Sequence, residues 1–504
     1  MLNSIPLLTI LALLPLAGAI LLTFVKGHAG KLLGLAIAVI TAVLGISLFV
    51  ASRAGDITEN VDWIGAIGAR YALGIDGMSG ILVLLSVILV PLVLLAEWHV
   101  DETKNSRWSA STYFALALAM QSFALYVFMA GDVLLFYIAF EATLVPMYFL
   151  IAGWGGPLRK AAALKFLLVS LAGGLVMLVG VIGVYVVSAA QGSPTFLISQ
   201  LAEVDFAGST GNWLFVAFFI AFAIKAPLAG LHTWLPDAAE QARGGTSTLL
   251  VGVLDKIGAF GMIKICLLVF PEASSWAAPV VITWAVVSMI YGALMALVSR
   301  NLMRFVSHTS VSHFGFMVFG IFAMTTPTLS GAVFYMLAHG LSSAALFLVL
   351  GFLADRRGSA DISAFGGVQK VAPVLAGFFL VAGMATLSLP GLANFVGEFL
   401  AMAGAWSAYP AHTAVITLGM VLAAAYVLTV YLKTMTGPVP EETAKHVSHD
   451  LGLREKLAVS PLLILLLVFG FFPRPILQAA DAAATHAMSV IGATDEAPQI
   501  EETN

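Results

Sequence analysis

The chain has 504 residues, of which 60% are hydrophobic and 10% charged, with a mean hydropathy of +1.01. That composition excludes a soluble globular domain, and a formal net charge of -4 with scattered basic residues excludes a nucleic-acid partner. The single cysteine, Cys266, excludes disulfide frameworks and thiolate metal clusters and leaves packing as its role.

The opening run MLNSIPLLTILALLPLAGAILLTFV has no basic residue ahead of its apolar stretch, and that stretch exceeds a signal-peptide core. It is therefore expected to be a retained first span. A hydrocarbon core of about 30 Å asks for roughly 20 apolar residues per helix. Fourteen such segments follow one another, at 5–25, 32–52, 78–98, 110–129, 131–153, 161–189, 212–242, 247–270, 276–298, 303–323, 327–353, 371–408, 411–436 and 457–478. The expected fold class is an all-α polytopic membrane protein. Its loop from Arg53 to Gly77 carries Asp56, Glu59, Asp62 and Asp76 and is expected along the outer surface, and its tail ATDEAPQIEETN is polar enough for disorder.

Cytoplasmic loops collect Lys and Arg. Seventeen of the 23 basic residues lie in or beside the loops after odd-numbered segments, against Arg53, Arg70 and Arg474 on the other side and Lys225, Lys256 and Lys264 within segments. Both termini are thus expected on the non-cytoplasmic side of the membrane.

Two segments carry internal breaks. The seventh holds Lys225 at its middle and Pro227 two residues later, and the twelfth holds Leu389-Pro390-Gly391 eight residues ahead of Glu398. Proline removes a backbone donor and clashes with the preceding turn, and irregular backbone at membrane depth is tolerated only against protein or a water-filled cavity. From Glu141 to Lys225 is 84 residues, and from His313 to Glu398 is 85. By the loop charges the two stretches enter from opposite sides, the pattern of an inverted repeat. The expected organisation is N-terminal helices 1–3 (1–105), a first five-helix repeat of helices 4–8 (106–270), a second of helices 9–13 (271–437), and helix 14 with the acidic tail (438–504).

Glu141, Lys225, Lys256, His313, His339 and Glu398 sit near the centres of their apolar segments. A charge at the bilayer centre costs roughly 2.5–3.5 kcal/mol on insertion scales, so such groups are kept mainly for ion or proton movement. Glu141 could hold two helices together by one hydrogen bond; as a pump carboxylate it would pair with Lys225. Lys225 and Lys256 lie too deep to snorkel, whereas Lys264 is near enough to the outer surface to do so. Asp255, although adjacent to Lys256, leaves the helix on a different face. His232, seven residues after Lys225, falls on one face with it if the helix resumes after Pro227, and is a candidate cytoplasmic link. His308 is shallow and reads as structural. Paired histidines on adjacent segments also suit haem ligation, but haem leaves Lys225, Lys256 and Glu398 unexplained. A water-bridged proton relay explains all six central groups.

The stretches WLPDAAEQA, SHTSVSHFGFMVFGIF and LPGLANFVGEFLAMAG resemble the antiporter-like membrane subunits of respiratory complex I, the proton-pumping NADH:quinone oxidoreductase. Within that family Glu398 stands where the L and N branches and most cation/proton antiporters have lysine, and the chain lacks the long lateral helix of the L branch. The resemblance implies a midplane proton path through Glu141, Lys225, Lys256, His313, His339 and Glu398. It implies no cofactor or metal in this chain, with NAD, FMN, iron–sulfur clusters and quinone handled by partner subunits. It also implies L-like and N-like neighbours in a membrane arm, in contact with lipid. Asp255 is unusual for the family. The competing expectations are a subunit of a multi-chain cation/proton antiporter, a hydrogenase-linked or photosynthetic relative, and an inert membrane scaffold.

Overall fold

The computed structural model describes residues 6–102, 108–206 and 208–493. Lys104 and Arg107, and the tail after Ala493, lie outside those residues.

Two helices, α1 (Leu7–Phe24) and α2 (Gly27–Ser52), lead into an antiparallel hairpin of β1 (Ile57–Ile64) and β2 (Ala69–Ile75). The expected surface loop is thus a clasp. Glu59 on β1 accepts from the Leu8 and Thr9 backbone N–H groups at 2.7 and 3.1 Å, satisfying donors that the first turn of α1 cannot pair internally. Next come α3 (Gly77–Ala96), α4 (Ala110–Met129), α5 (Val133–Ala142), α6 (Leu144–Gly153), α7 (Arg159–Ala190) and the short α8 (Ile198–Leu201). Asp76 caps α3 through the Ser79 N–H at 2.8 Å, and Asp132 caps α5 through Leu134 and Leu135.

The expected seventh segment is α9 (Gly208–Lys225) and α10 (Trp234–Gln241), with residues 226–233 irregular around Pro227. The exposed backbone is answered by side chains: Trp234 Nε1 donates to Ile224 O at 3.1 Å, Trp284 Nε1 to Ala229 O at 2.9 Å, and Ser288 Oγ accepts from Ala229 N–H at 3.0 Å. These bonds let a broken helix persist inside protein. The eighth segment is broken as well, which its sequence gave no proline to announce. It runs α11 (Gly244–Leu249), a π-helical turn at Leu250–Leu254, α12 (Lys256–Gly261) and a second π-helical turn at Met262–Leu267.

Then follow α13 (Pro271–Leu297), α14 (Leu302–Phe322), α15 (Thr326–Arg357), α16 (Val368–Val371), α17 (Pro373–Thr386), α18 (Ala393–Ala405), α19 (Pro410–Met435), α20 (Glu441–His446), α21 (Leu453–Phe471) and α22 (Arg474–Ile491). The gap between α17 and α18 is the expected break in the twelfth segment, with Ser388 at φ 60° and Gly391 at φ 94°. The last expected span ends at a 71° bend, beyond which α22 turns aside. Arg53 at the end of α2 reaches the Pro475 carbonyl and, at 3.0 Å, Gln478 of α22.

Among the described residues eleven helices are long and apolar enough to cross a membrane, or up to twelve if the bent pair counts as one span. The expected fourteen is larger because the eighth and twelfth segments are cut into pieces too short to qualify. Helices α14 and α15 are buried along their whole apolar stretch, whereas α1, α2, α7 and α19 present long exposed apolar faces. In an apolar solvent the outward face of a membrane protein carries such residues, and polar groups retreat to the centre. The most enclosed helices here are those that carry His313 and His339.

Candidate proton-relay site

The central polar groups are held by α9, the interrupted eighth segment, α14, α15 and α18. Lys225 is 1% exposed, Lys256 0%, His339 1%, His313 2% and Glu398 2%. Five of the six sequence candidates are thus fully enclosed.

Lys256 leaves α12 toward α15, where its Nζ donates to His339 Nδ1 at 2.6 Å and to the Val251 carbonyl at 3.2 Å, above the Phe314 ring. With Nδ1 accepting, the His339 proton resides on Nε2, and Nε2 has no partner among the described residues. The His339 ring stacks on that of His313, centroids 5.2 Å apart and 28° from parallel. Face-to-face rings at that separation leave no room for a haem between them, which sets aside the ligation alternative.

His313 is hydrogen-bonded through Nδ1 to the Tyr335 hydroxyl and through Nε2 to the Tyr426 hydroxyl at 3.1 Å. The Tyr335 hydroxyl donates to Glu398 Oε1, and His313 Nδ1 is itself 3.4 Å from that oxygen. With the Tyr335 hydroxyl proton committed to Glu398, its oxygen is left to receive from His313. The result is a file of Lys256, His339, His313, Tyr335 and Glu398 whose one step without a hydrogen bond is the stacked histidine pair. Close approach of α15 and α18 makes it possible: a Cβ on Gly397 would lie 2.6 Å from Tyr335 Cβ. Neither Tyr335 nor Tyr426 was singled out in the sequence. Tyr335 stands one helical turn before His339, so its register was available.

Lys225 ends α9 with its Nζ 5.1 Å from the Phe166 ring centre and 5.4 Å from that of Phe140. Among the described residues it has no hydrogen-bond partner, and no ion pair within 4.0 Å joins it to Glu141. Glu141 is only partly buried, and its Oε1 is also unpartnered. Its carboxylate occupies a notch in α7 left by Gly174, where a Cβ would fall 1.6 Å from Oε1. The expected close pair is therefore open.

His232 does not share a helical face with Lys225, because the chain stays irregular from 226 to 233 and Gly230 turns at φ 94°. Its Nδ1 accepts from Gly230 N–H at 3.2 Å, and its ring lies 6.2 Å from that of His308. His308, read as shallow, is 4% exposed, and its Nδ1 has no hydrogen-bond partner among the described residues. Lys264 does not simply snorkel, since its Nζ meets Asp76 Oδ2 at 2.7 Å. Burial works against the Asp76 charge, but Lys264 and Ser79 outweigh it and hold the carboxyl at about 2, so Asp76 stays ionised near neutral pH.

Among the described residues no group of three or more His, Cys, Asp or Glu side chains could hold a metal ion. A cavity of about 990 Å³ lies apart from the file, lined by Glu97, Arg243, Asp355 and Arg356 among others. There Arg243 bridges Glu97 at 2.9 Å and Asp355 at 2.7 Å.

A family model described as NADH:quinone oxidoreductase/Mrp antiporter, transmembrane, matches residues 130–423, and one described as NADH-ubiquinone oxidoreductase chain 4, amino terminus, matches residues 10–128. NADH-quinone oxidoreductase subunit M of Mycobacterium tuberculosis is 44% identical over 99% of this chain and 97% of its own length. The subunit M of Rhodobacter capsulatus is 34% identical over 95% and 96%. A chain of respiratory complex I from Thermus thermophilus with bound NADH superposes with a TM-score of 0.88 at 29% identity, covering 96% of this chain and all of that one. A chain of the Mrp complex from Dietzia sp. shares the fold with a TM-score of 0.83 at 19% identity over 97% of this chain and all of that one.

Proposed function

The chain belongs to the NADH:quinone oxidoreductase/Mrp antiporter membrane family, and we propose that it moves protons through a buried file of Lys225, Lys256, His339, His313 and Glu398 with Glu141 at its head. It is a proton-translocating membrane-arm subunit of NADH:quinone oxidoreductase, of the subunit M type. The observation that carries the relay is the hydrogen-bonded contact from Lys256 to His339 and from His313 through Tyr335 to Glu398, sealed from solvent.

Protonated Lys256 donates toward His339. A proton crossing to the His313 ring is passed to the Tyr335 oxygen as the Tyr335 proton moves to Glu398. Each group both accepts and donates, so a proton can enter one end as another leaves. Glu141 and Lys225 form a pair that switches between the open arrangement and an ion pair, driven by charge changes in an adjoining subunit. His232 and His308 link Lys225 to the cytoplasmic side.

In this reading the chain crosses a bacterial cytoplasmic membrane fourteen times with both termini outside. Two inverted five-helix repeats, 106–270 and 271–437, are set between N-terminal helices and a final span. The broken seventh and twelfth segments, each beside a titratable group, support that symmetry. L-like and N-like subunits flank it, and NAD, FMN, iron–sulfur clusters and quinone work in partner chains.

Glu141→Gln in the assembled complex tests the head of the relay. NADH oxidation with proton translocation reduced by about tenfold or more is expected, the scale of losing one proton-transfer group. Normal pumping by an intact variant complex contradicts it.

A further inference from the structure

Asp255 is a fully buried carboxylate with no role in the file just described. It is 0% exposed, and neither of its oxygens has a hydrogen-bond partner among the described residues. Desolvating a charged carboxylate without compensation is costly enough that such groups are nearly always paired, hydrated or protonated. Something must stabilise this one, and its position says what.

Asp255 stands where the first π-helical turn meets α12. Gly258, three residues later and so on the same helical face, packs directly on the end of α9: a Cβ there would lie 2.5 Å from Ala226 N and 2.6 Å from Phe222 O. Those two residues bracket Lys225. The next residue, Lys256, is turned about 100° around the helix and reaches α15, where it meets His339. The interrupted eighth segment thus presents Asp255 to α9 and Lys256 to α15. On the α9 side waits Lys225, whose Nζ likewise has no hydrogen-bond partner among the described residues.

We infer that Asp255 is a relay carboxylate that carries the proton from Lys225 to Lys256, with internal water bridging the first step. The Lys225 ammonium gives its proton to the Asp255 carboxylate, leaving a neutral amine and a neutral acid. Asp255 then protonates the neutral amine of Lys256, regenerating its carboxylate. One proton moves and no charge is created, and the neutral intermediate suits a site that penalises separated ions. Buried waters commonly serve polar groups otherwise without partners.

This step rests on the relay proposed above, and the test separates the two. The purified complex carrying Asp255→Asn is reconstituted into vesicles and compared with the parent and with Glu141→Gln for NADH-driven quinone reduction and vesicle acidification. The inference expects Asp255→Asn to lower acidification about tenfold or more, and Asp255→Glu to recover much of it, a rescue that a merely structural role does not require of a longer side chain. Normal acidification with Asp255→Asn while Glu141→Gln is defective overturns the inference and leaves the relay standing. Normal acidification in both overturns the relay itself. If Asp255→Asn does not assemble, the unmodified complex is treated with an apolar carbodiimide, which reacts with protonated buried carboxyls. An adduct on Asp255 during turnover supports the step, and its absence where Glu141 is modified overturns it.

Discussion

Tyr335 and Gly174 show how single residues outside the six sequence candidates set the site. Removing the Tyr335 hydroxyl with Tyr335→Phe leaves a ring of the same shape but disconnects His313 Nδ1 from the Glu398 carboxylate through that oxygen. The expected outcome is an assembled complex whose acidification rate falls by about tenfold, measured in vesicles against Tyr426→Phe, whose hydroxyl is bonded to His313 at the ring nitrogen away from Glu398 and whose loss is expected to cost less. Equal losses in the two variants would count against a directional file. Gly174→Val acts from the lipid-facing helix α7: with a Cβ 1.6 Å from Glu141 Oε1, the carboxylate must leave its notch. Pumping is expected to drop toward that of Glu141→Gln, with NADH oxidation by the detergent-solubilised complex retained. The six central candidates were legible because a charge in an apolar run stands out. Tyr335 was not, since a tyrosine in such a run reads as ordinary aromatic packing, and the geometry of α15 against α18 is what gives it a task.

At the scale of elements, the physics of proline and of short-range repetition was readable and that of π-helical turns was not. The breaks after Lys225 and before Glu398 sit at Pro227 and at Leu389-Pro390-Gly391, where the missing N–H and the left-handed Gly391 force them. The eighth segment, VGVLDKIGAFGMIK, has no such signal; between its two π-helical turns Gly258 packs against α9. The hairpin of β1 and β2 was missed for another reason: its strands, ITENVDWI and ARYALGI, mix polar and apolar residues in stretches too short to read as spans, so hydropathy was silent on it. Segment ends are tied by ion pairs rather than apolar packing alone. Arg243 joins α3 to α15 through Glu97, which is 3% exposed, and Asp355. Arg243→Ala leaves Glu97 buried without its partner, which costs about 3–5 kcal/mol. A lower thermal midpoint of the detergent-solubilised complex is the expected result, and an unchanged midpoint would show that Gly245 N–H and water suffice for Glu97.

Over the whole molecule the arrangement centres the polar file on the two most enclosed helices, which carry His313, Tyr335 and His339, with Lys256 and Glu398 reaching in from α12 and α18, and leaves apolar faces outward, the inverse of a soluble fold. Composition alone led to the membrane, and the quoted sequence blocks led to the family. What neither could supply was the order of contact within the site, because that depends on which faces of α12, α14, α15 and α18 meet. The most direct measurement of the central claim is the ratio of protons translocated to electrons transferred by the complex carrying Lys256→Met, which keeps the length of the side chain and removes the donor to His339. A ratio below that of the parent complex, with quinone reduction still sensitive to NADH, is the predicted result. An unchanged ratio in an intact Lys256→Met complex would mean that protons do not pass through this file.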